Sequence, residues 1–412
     1  MTEPLPALRA VEAIPTKHEG QTVVVLRDPE GICEGLVVLP LPAFFLASCF
    51  DGAARAIDVQ EAFQQQFQHT VDLNDIESLS RQLDEQGLLV SRTYFLRKQA
   101  LEQAYDALPA RPAAHAGEAY PNSAEELKTV FQGYFTLEGG AGDYQITPSG
   151  REVAGLVLPH IDPRCGGRCA SWALKELASS PVPDVFVIFG TSHHPLPDLF
   201  SVGEKDFETP LGTVPVDRAF IAALRQQWPN DRFKGGSLIH KTEHSIEFQV
   251  VFLHALYGDP APFTIVPVLC GSLHEYINDP DRMVLDPDLV SFFQAMRTVA
   301  ESCGRRVCYV AGADLAHMGR KFGDDFGLSD ELIQRTRAND MAALEFMARM
   351  DAQAFFRRVA LNGDEYKICG LSPMYAMLRC MQASEGKLMR HDYNLEAQTD
   401  SMVSFCSMVF YK

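Results

Sequence analysis

Apolar residues follow two kinds of pattern along the C-terminal two thirds of the chain. Continuous apolar runs occupy residues 153–160, 184–194, 263–272, 306–317 and 401–412. Between them, apolar residues recur at helical spacing over residues 169–180, 244–258, 286–302 and 332–350. Continuous runs are typical of strands covered on both faces. The alternation predicts an α/β fold over residues 127–412, with a mixed central sheet flanked by helices.

The first hundred residues follow a different pattern. Two short apolar runs, 22–31 and 35–40, predict a β-hairpin, and three amphipathic segments follow at 41–52, 59–68 and 73–91. Gly52 and Gly87 are candidate helix stops, and Asn74 is a candidate helix cap. We therefore predict a small winged-helix-like α+β domain over residues 1–103. The Pro- and Ala-rich stretch 104–126 predicts a linker.

Composition narrows the class of protein. At 412 residues, with 46% hydrophobic and 22% charged residues, the chain is long enough for two domains. A formal charge of −18 argues against a nucleic-acid partner, which would require clustered Lys and Arg. The sequence has neither a basic, apolar leader at its start nor an apolar run of 18 residues. We expect a cytoplasmic protein with no membrane partner, whose ten cysteines are reduced, and which forms a homo-oligomer.

Three of the continuous runs end in histidine. His160, His193 and His317 each follow apolar residues, and Asp314 stands three residues before the last of them. Ligands of open α/β sheets collect beyond the carboxyl ends of the strands. We therefore predict one shared polar pocket, although a lone histidine after a strand is more often a hydrogen-bonded structural residue.

A fourth candidate segment is KTEHSIEFQV. His244 and Glu247 stand three apart at the start of a predicted helix, so both face the same way. Glu243 is the local alternative, because a carboxylate at a helix start acts as a cap without any further function. We expect His244 to line the pocket as an acid or base. For Glu247 we favour orienting an imidazole through its N–H over direct catalysis.

The fifth candidate is Cys369 in EYKICGLSP. A cysteine is most often a small buried apolar residue. Beside a turn that starts a helix, however, we expect its thiolate to be favoured. A thiolate with two neutral imidazoles is a good ligand set for a redox-active transition metal. The dinucleotide, P-loop, zincin and nucleophile-elbow motifs are all missing from the sequence.

The short sequences around these candidate residues, taken together, resemble those of a known protein family. In order, PHID, GTSHH, EHSIEFQ, PVLCGS, ADLAHMG and ICGLSP resemble successive signatures of the Memo family over about residues 150–412. The resemblance implies the fold of the class III extradiol dioxygenases and a mononuclear, non-haem iron or copper site. Its implied ligands are His160, His193 and Cys369. His244 and His317, with Asp314 beside the latter, match further pocket positions.

The resemblance also implies partners. Bacterial Memo proteins are known as protein B of the AmmeMemoRadiSam system, which implies AMMECR1-like and radical SAM partner proteins. Residues 20–92, with Asp51-Gly52 and the Gln-Gly-Leu-Leu ending at Leu89, are similar to PqqD-like domains that recognise precursor peptides. The first 125 residues lie outside the Memo resemblance and suggest a fused accessory domain. Ile161, Asp162 and Pro163 replace the Ala-Gly-Tyr of many members, so the loop beside the metal differs here.

Three functions remain open at this stage. The leading hypothesis is oxygen-dependent or redox chemistry on a small-molecule or peptide-borne substrate, with His244 or His317 as acid or base. The second makes Cys369 a nucleophile, with His317 as its base and Asp314 orienting that base. The third is a metal-carrying or partner-binding protein without turnover, because a fold does not imply activity.

Overall fold

The computed structural model describes residues 3–18, 20–28, 30–33, 35–148, 150–196, 198–228 and 238–412. The chain divides into two compact units, Met1–Leu108 and Pro109–Lys412. In the part of the chain that is described, none of the helices has both the length and the apolar character needed to cross a bilayer.

The first unit is a three-stranded antiparallel sheet followed by helices. Its elements are β1 (Glu12–His18), β2 (Gln21–Arg27), β3 (Val37–Pro40), α1 (Leu41–Ser48), α2 (Ala56–Phe67), α3 (Leu73–Glu85) and α4 (Arg92–Asp106). The predicted hairpin is confirmed as the β2–β3 pair. The predicted cap is off by two residues, because Asp72 caps α3 by accepting the backbone N–H of Asn74. Sequence patterning did not predict β1, whose seven residues are all exposed.

The second unit contains the predicted α/β fold. Its elements are β4 (Ala110–Arg111), α5 (Ala124–Thr136), β5 (Val153–Leu158), α6 (Pro163–Ser179), β6 (Val185–Thr191), β7 (Phe200–Val202), β8 (Asp206–Thr209), β9 (Gly212–Val214), α7 (Arg218–Gln227), α8 (His244–Tyr257), β10 (Thr264–Cys270), α9 (Pro280–Leu285), α10 (Pro287–Ser302), β11 (Val307–Gly312), β12 (Asp314–Gly319), α11 (Asp330–Ala348), α12 (Ala352–Ala360), α13 (Leu371–Cys380), β13 (Glu385–Glu396) and β14 (Ser401–Tyr411).

A mixed eight-stranded sheet forms the centre of this unit. Its order is β12-β14-β5-β11-β6-β10-β7, with β13 on the other edge of β14. The strands β5, β11, β6 and β10 run parallel to one another, β7 pairs antiparallel with β10, and β14 pairs antiparallel with β5, β12 and β13. Every residue of β5, β6 and β11 is buried, which agrees with the continuous apolar runs in their sequences.

The run at residues 306–317 forms two strands instead of one. The chain leaves β11 at Gly312, passes Ala313 and enters β12 at Asp314, where it pairs with β14. Both β5 and β12 lie along β14, so the end of β5 comes close to the start of β12. This arrangement brings the residues after Leu158 next to Asp314.

Most of the predicted linker 104–126 belongs to the second unit. Its first residues end α4, while Ala110 and Arg111 pair in parallel with β8. The fully buried Arg111 side chain donates to the carbonyl oxygens of His240, at 2.5 Å, and Glu243, at 2.9 Å. Polar contacts thus attach the start of this segment to the second unit, and further along the segment Ala119 and Tyr120 pack against Phe248.

Candidate metal centre

Three imidazoles meet beyond the carboxyl ends of β5 and β6, which lie on either side of β11 in the sheet. His160 follows β5 by two residues, His193 follows β6 by two residues, and His244 is the first residue of α8. One ligand nitrogen from each side chain lies within 4.8 Å of the others. Ring centroids are 5.1 Å apart for His160 and His193, and 4.6 Å apart for the stacked rings of His193 and His244. This group can hold a metal ion.

Hydrogen bonds set the tautomers of two of these rings. The Nδ1 of His160 lies 2.8 Å from the carbonyl oxygen of Gly312, which can only accept, so Nδ1 carries the proton. The Nδ1 of His193 lies 3.0 Å from a carboxylate oxygen of Glu243 and donates to it. Both rings therefore keep the lone pair of Nε2 for a ligand. Partners of this kind are typical of metal-binding histidines.

Glu243 organises the start of α8 and the neighbouring imidazoles together. Its carboxylate accepts the backbone N–H of Ser245 at 3.0 Å, as the predicted cap, and the backbone N–H of His193 at 2.9 Å. It also lies 3.4 Å from Nδ1 of His244. Burial raises the pKa of Glu243, but the hydrogen bond and charge of His193 outweigh it and hold this pKa well below its usual range. Burial likewise lowers the pKa of His193, but Glu243 outweighs it and the net shift is upward.

The other two imidazoles are held neutral. Burial is the main cause that lowers the pKa of His160 to about 3, and the neighbouring His193 lowers it further. Burial also lowers the pKa of His244 to about 3. Neutral imidazole is the form that binds a metal, so both rings are available as ligands at neutral pH.

Glu247 lies away from these imidazoles. Its carboxylate forms a fully buried ion pair with Arg111, at 2.7 Å, and accepts the backbone N–H of His115 at 2.9 Å and the phenol O–H of Tyr120. Its contacts therefore fasten the segment before α5 to α8. The structure places Glu243, and not Glu247, where a carboxylate orients an imidazole.

Asp314 and His317 lie on β12 beside the histidine group. An oxygen of Asp314 accepts the backbone N–H of His160 at 3.0 Å, and its other oxygen is 3.6 Å from Nε2 of the same residue. Burial raises the pKa of Asp314 to about 6. The Nδ1 of His317 donates to the carbonyl oxygen of Leu315 at 3.0 Å, and burial lowers the pKa of His317. The carboxylate of Asp314 thus contacts His160, while the ring of His317 is oriented by Leu315.

Cys369 contacts this group from the turn before α13. Its Sγ lies 3.3 Å from Nε2 of His160 and 3.9 Å from the carbonyl oxygen of Asp314. The expected low-pKa thiol is wrong, because burial raises the pKa of Cys369 well above its usual range and the charge of Asp314 raises it further. The free thiol is thus protonated at neutral pH, and only a bound cation would favour its thiolate.

Close backbone contacts hold α8 against the sheet. A Cβ on Gly312 would lie 2.3 Å from the carbonyl oxygen of Ser245, and one on Gly190 would lie 2.5 Å from the Ser245 hydroxyl oxygen. The hydroxyl of Ser245 donates to the carbonyl oxygen of Thr191 at 2.7 Å. Glycine at these two strand ends therefore allows the first turn of α8, with Glu243 and His244, to approach the sheet.

The donor set fits a metal ion. Nitrogen and sulfur ligands bound at about 2.1 and 2.3 Å to one ion lie roughly 3–4 Å apart. The 3.3 Å between Nε2 of His160 and Sγ of Cys369 falls in that range. A cavity of about 700 Å³ opens beside His193, between the segments that follow β6 and β10. The centre thus has both donors and adjoining space for a substrate.

Known proteins that are similar to this chain carry one family name, and the similarity covers most of the chain. A family model described as Memo-like protein matches residues 111–409. A "MEMO1 family protein" of Aquifex aeolicus is 26% identical over 400 residues, covering 94% of this chain and 96% of that protein. Similar relatives from Thermus thermophilus (25% identical; 85% and 98% covered) and Methanopyrus kandleri (28%; 73% and 98%) carry the same family name. The family model begins at residue 111, as expected for a first unit outside the Memo resemblance, while the Aquifex alignment also includes most of residues 1–108, so that relative shares the first unit.

Proposed function

This chain belongs to the Memo family, and on that premise we propose that it uses one iron or copper ion, held by His160, His193 and Cys369, for redox chemistry. The observation that carries the proposal is the pair of Nδ1 hydrogen bonds, from His160 to Gly312 and from His193 to Glu243. These bonds leave both Nε2 lone pairs for one ion, and Sγ of Cys369 is 3.3 Å from the first of them. The substrate is a small molecule or a peptide-borne group that enters the cavity beside His193.

The types of donor favour iron or copper. Soft thiolate and imidazole ligands suit iron and copper better than magnesium or calcium, which prefer oxygen. A bound ion of this kind supplies electron transfer and a site at which dioxygen or substrate is activated. Other contacts of this chain prepare the ligands, because Glu243 and Gly312 fix the two rings.

Two further groups can handle protons beside the ion. His244 stacks on His193 at a centroid distance of 4.6 Å, and burial lowers its pKa to about 3, so it is a neutral but weak base near neutral pH. Asp314, with a pKa of about 6, holds or releases a proton near neutral pH. His317 lies on the same strand and is the alternative base. In this proposal Asp314 exchanges the proton, and His244 serves as a weaker base or as a ligand.

The cysteine-nucleophile hypothesis finds less support. The Sγ of Cys369 lies against His160, while the ring of His317 donates to Leu315. The raised pKa of the Cys369 thiol also removes the activation that such a nucleophile needs. A metal-carrying protein without turnover remains the second candidate, because it uses the same ligand set.

Metal content of protein purified without oxygen or added metal tests the proposal. We expect near-stoichiometric iron or copper in the wild type and in two controls, His69→Ala in the first unit and Cys303→Ser directly after α10. We expect loss of the metal in His193→Ala and Cys369→Ser. Wild type that holds no metal and cannot be reconstituted would refute the metal site itself.

The same series distinguishes the ligand sets. Metal retained in Cys369→Ser but lost in His244→Ala would replace the proposed thiolate with a third imidazole. Thiolate-to-metal charge-transfer absorption, present in the wild type and lost in Cys369→Ser, would support sulfur ligation directly. Oxygen consumption by the loaded protein with candidate substrates separates an enzyme from a metal carrier.

A further inference from the structure

A second group of polar side chains lies beyond the end of β10. The hydroxyl oxygen of Ser272 is 2.8 Å from Nδ1 of His274, and Nε2 of that ring is 2.6 Å from a carboxylate oxygen of Asp364. The three side chains therefore form a continuous hydrogen-bonded series of hydroxyl, imidazole and carboxylate. None of them belongs to the proposed ligand set.

The direction of the hydrogen bonds in this series follows from Asp364, its last member. A carboxylate only accepts, so Nε2 of His274 carries a proton and donates it to Asp364. In the neutral ring Nδ1 is then a lone pair, and the Ser272 hydroxyl donates to it. The serine is thus hydrogen-bonded to a base that a carboxylate orients, which is the arrangement that activates a serine nucleophile.

Asp364 is held rigidly in its position. Its side chain is 2% exposed, and its carboxylate accepts the backbone N–H of Ile368 at 3.0 Å. Its backbone has a φ of +54°, in the left-handed region that residues other than glycine adopt infrequently. Such conformations persist where the surroundings fix them, and they cluster at functional sites. The carboxylate therefore provides a fixed partner for the exposed ring of His274.

Ser272 faces the cavity of about 700 Å³ that also contains His193. The register of the parallel pair β6–β10 explains this proximity, because Thr191 lies opposite Cys270 and the residues that follow both strands share one wall. Leu196, Leu199 and Tyr276 give the cavity apolar surface. Its charged lining is mainly acidic, with Arg282 as the cation among the following carboxylates: Asp198, Glu275, Asp286 and Asp288.

We propose that Ser272, His274 and Asp364 form an esterase site that takes esters with an uncharged or cationic acyl group. Oγ of Ser272 attacks the carbonyl carbon, and its proton passes to Nδ1 of His274. The ester C–O bond breaks, the leaving alkoxide takes that proton, and an acyl-serine remains. Water then attacks the acyl carbon, gives a proton to the ring and releases the acid as the proton returns to Ser272. The acidic lining disfavours anionic acyl groups.

This site does not depend on the proposed metal centre, and the two are tested separately. Chelator-treated full-length protein is reacted with an uncharged fluorophosphonate, and the adduct is located by peptide mass mapping. We expect a single adduct on Ser272, absent in Ser272→Ala and retained in Ser302→Ala, an exposed helix serine. We also expect hydrolysis of p-nitrophenyl acetate that the chelator leaves unchanged and that exceeds hydrolysis of its anionic succinate analogue.

Replacement of the Asp364 carboxylate provides the second test. Asp364→Asn keeps a residue that tolerates the left-handed conformation, so the fold is expected to survive, as unchanged near-ultraviolet circular dichroism will show. We expect its labelling rate to fall roughly 100-fold, as for the loss of general-base assistance. Ser272 also accepts the backbone N–H of His274 at 3.2 Å, as the cap of a short turn. A purely capping serine would form no adduct, and a folded wild type without one overturns the proposal, as does equal labelling of Asp364→Asn.

Discussion

Glu243 accepts two hydrogen bonds from His193, one from its backbone N–H at 2.9 Å and one from Nδ1 at 3.0 Å. The same carboxylate caps α8 through Ser245. One side chain therefore fixes the position of a helix, the course of the loop after β6 and the tautomer of an imidazole. The first turn of α8 and the proposed centre are expected to respond together when this carboxylate is altered.

Glu243→Gln tests this coupling. The amide keeps an acceptor oxygen but loses the charge, so Nε2 of His193 becomes a weaker donor to the metal. We expect metal affinity to fall about 10-fold to 100-fold, measured by competition with a chromophoric chelator. The control Glu208→Gln, at an exposed position of β8, should bind like the wild type. Equal affinity in both variants would show that the carboxylate has no effect on the metal site.

We expect the protein to lose much of its stability when one member of the buried ion pair between Arg111 and Glu247 is removed. Removing one partner leaves an uncompensated charge in a site where both side chains are at most 1% exposed. We expect Glu247→Leu to lower the free energy of unfolding by about 3–5 kcal/mol, measured by urea denaturation. The double variant Arg111→Met with Glu247→Leu should recover much of this loss.

An exposed ion pair provides the comparison for that experiment. Arg218 and Asp206 are 3.0 Å apart, but the arginine side chain is 64% exposed. We expect Arg218→Ala to cost less than about 1 kcal/mol. Similar losses in Arg218→Ala and Glu247→Leu would contradict the assignment of Glu247 as a buried anchor.

We expect the ionised carboxylate of Asp217 to contribute to stability in a pH-dependent way. Burial raises its pKa, but the hydrogen bonds from Arg305 and Thr264 outweigh this, and the net shift is downward. Since the folded-state pKa lies below the unfolded value of about 3.9, the contribution is complete above that pH. It is lost as the pH falls through the folded-state pKa.

Asp217→Asn measures this contribution. We expect the variant to be about 2 kcal/mol less stable than the wild type at pH 7, with the difference shrinking below about pH 4. Trp172 and Trp228 are the two tryptophans of the chain and both lie in the second unit, so their fluorescence reports its unfolding. Asp330→Asn, at an exposed helix start, is the control. A difference that persists unchanged into acid would rule out ionisation of Asp217 as its cause.

We expect Gly312→Ala to disturb the proposed metal centre, although the substitution changes none of the proposed ligands. The added Cβ would meet the carbonyl oxygen of Ser245 at 2.3 Å and force the start of α8 away from the sheet. We expect lower thermal stability and weaker metal binding. Gly133→Ala lies inside α5, where the added Cβ would make an ordinary van der Waals contact of 3.6 Å with Leu137, and it should instead be neutral or stabilising by about 1 kcal/mol. Parallel behaviour of the two variants would exclude a special role for the close contact.

Local patterns predicted what depends on neighbouring residues in the sequence. The apolar runs predicted the central sheet and its covered faces, and the strand-end rule brought His160 and His193 to one place. The break at Ala313 was missed because β11 and β12 are both apolar, and only pairing with β14 separates them. Long-range contacts were equally hidden, since Arg111 lies far from Glu247 in the sequence and Ser272 far from Asp364.

Electrostatic properties were predicted least well. The turn before α13 suggested a low pKa for the thiol of Cys369, but burial acts in the opposite direction and is the larger effect. The carboxylate beside His193 was interpreted as a cap, which it is, while its bond to the imidazole depends on the close packing of α8 on Gly312. Burial and packing of this kind follow from the whole fold and not from a local pattern.

The position of β14 has a consequence for the order in which the protein assembles. This strand follows all others of its sheet in the chain, yet it lies inside the sheet, between β13 on one edge and β5 with β12 on the other. Translation produces the chain from its N-terminus, so β5, which leads to His160, is made long before its neighbour. A nascent chain on the ribosome therefore exposes the unpaired edge of β5 until residues 401–411 emerge. The proposed ligands are therefore expected to come together only late in synthesis, and any metal that they hold would bind after most of the chain has been made.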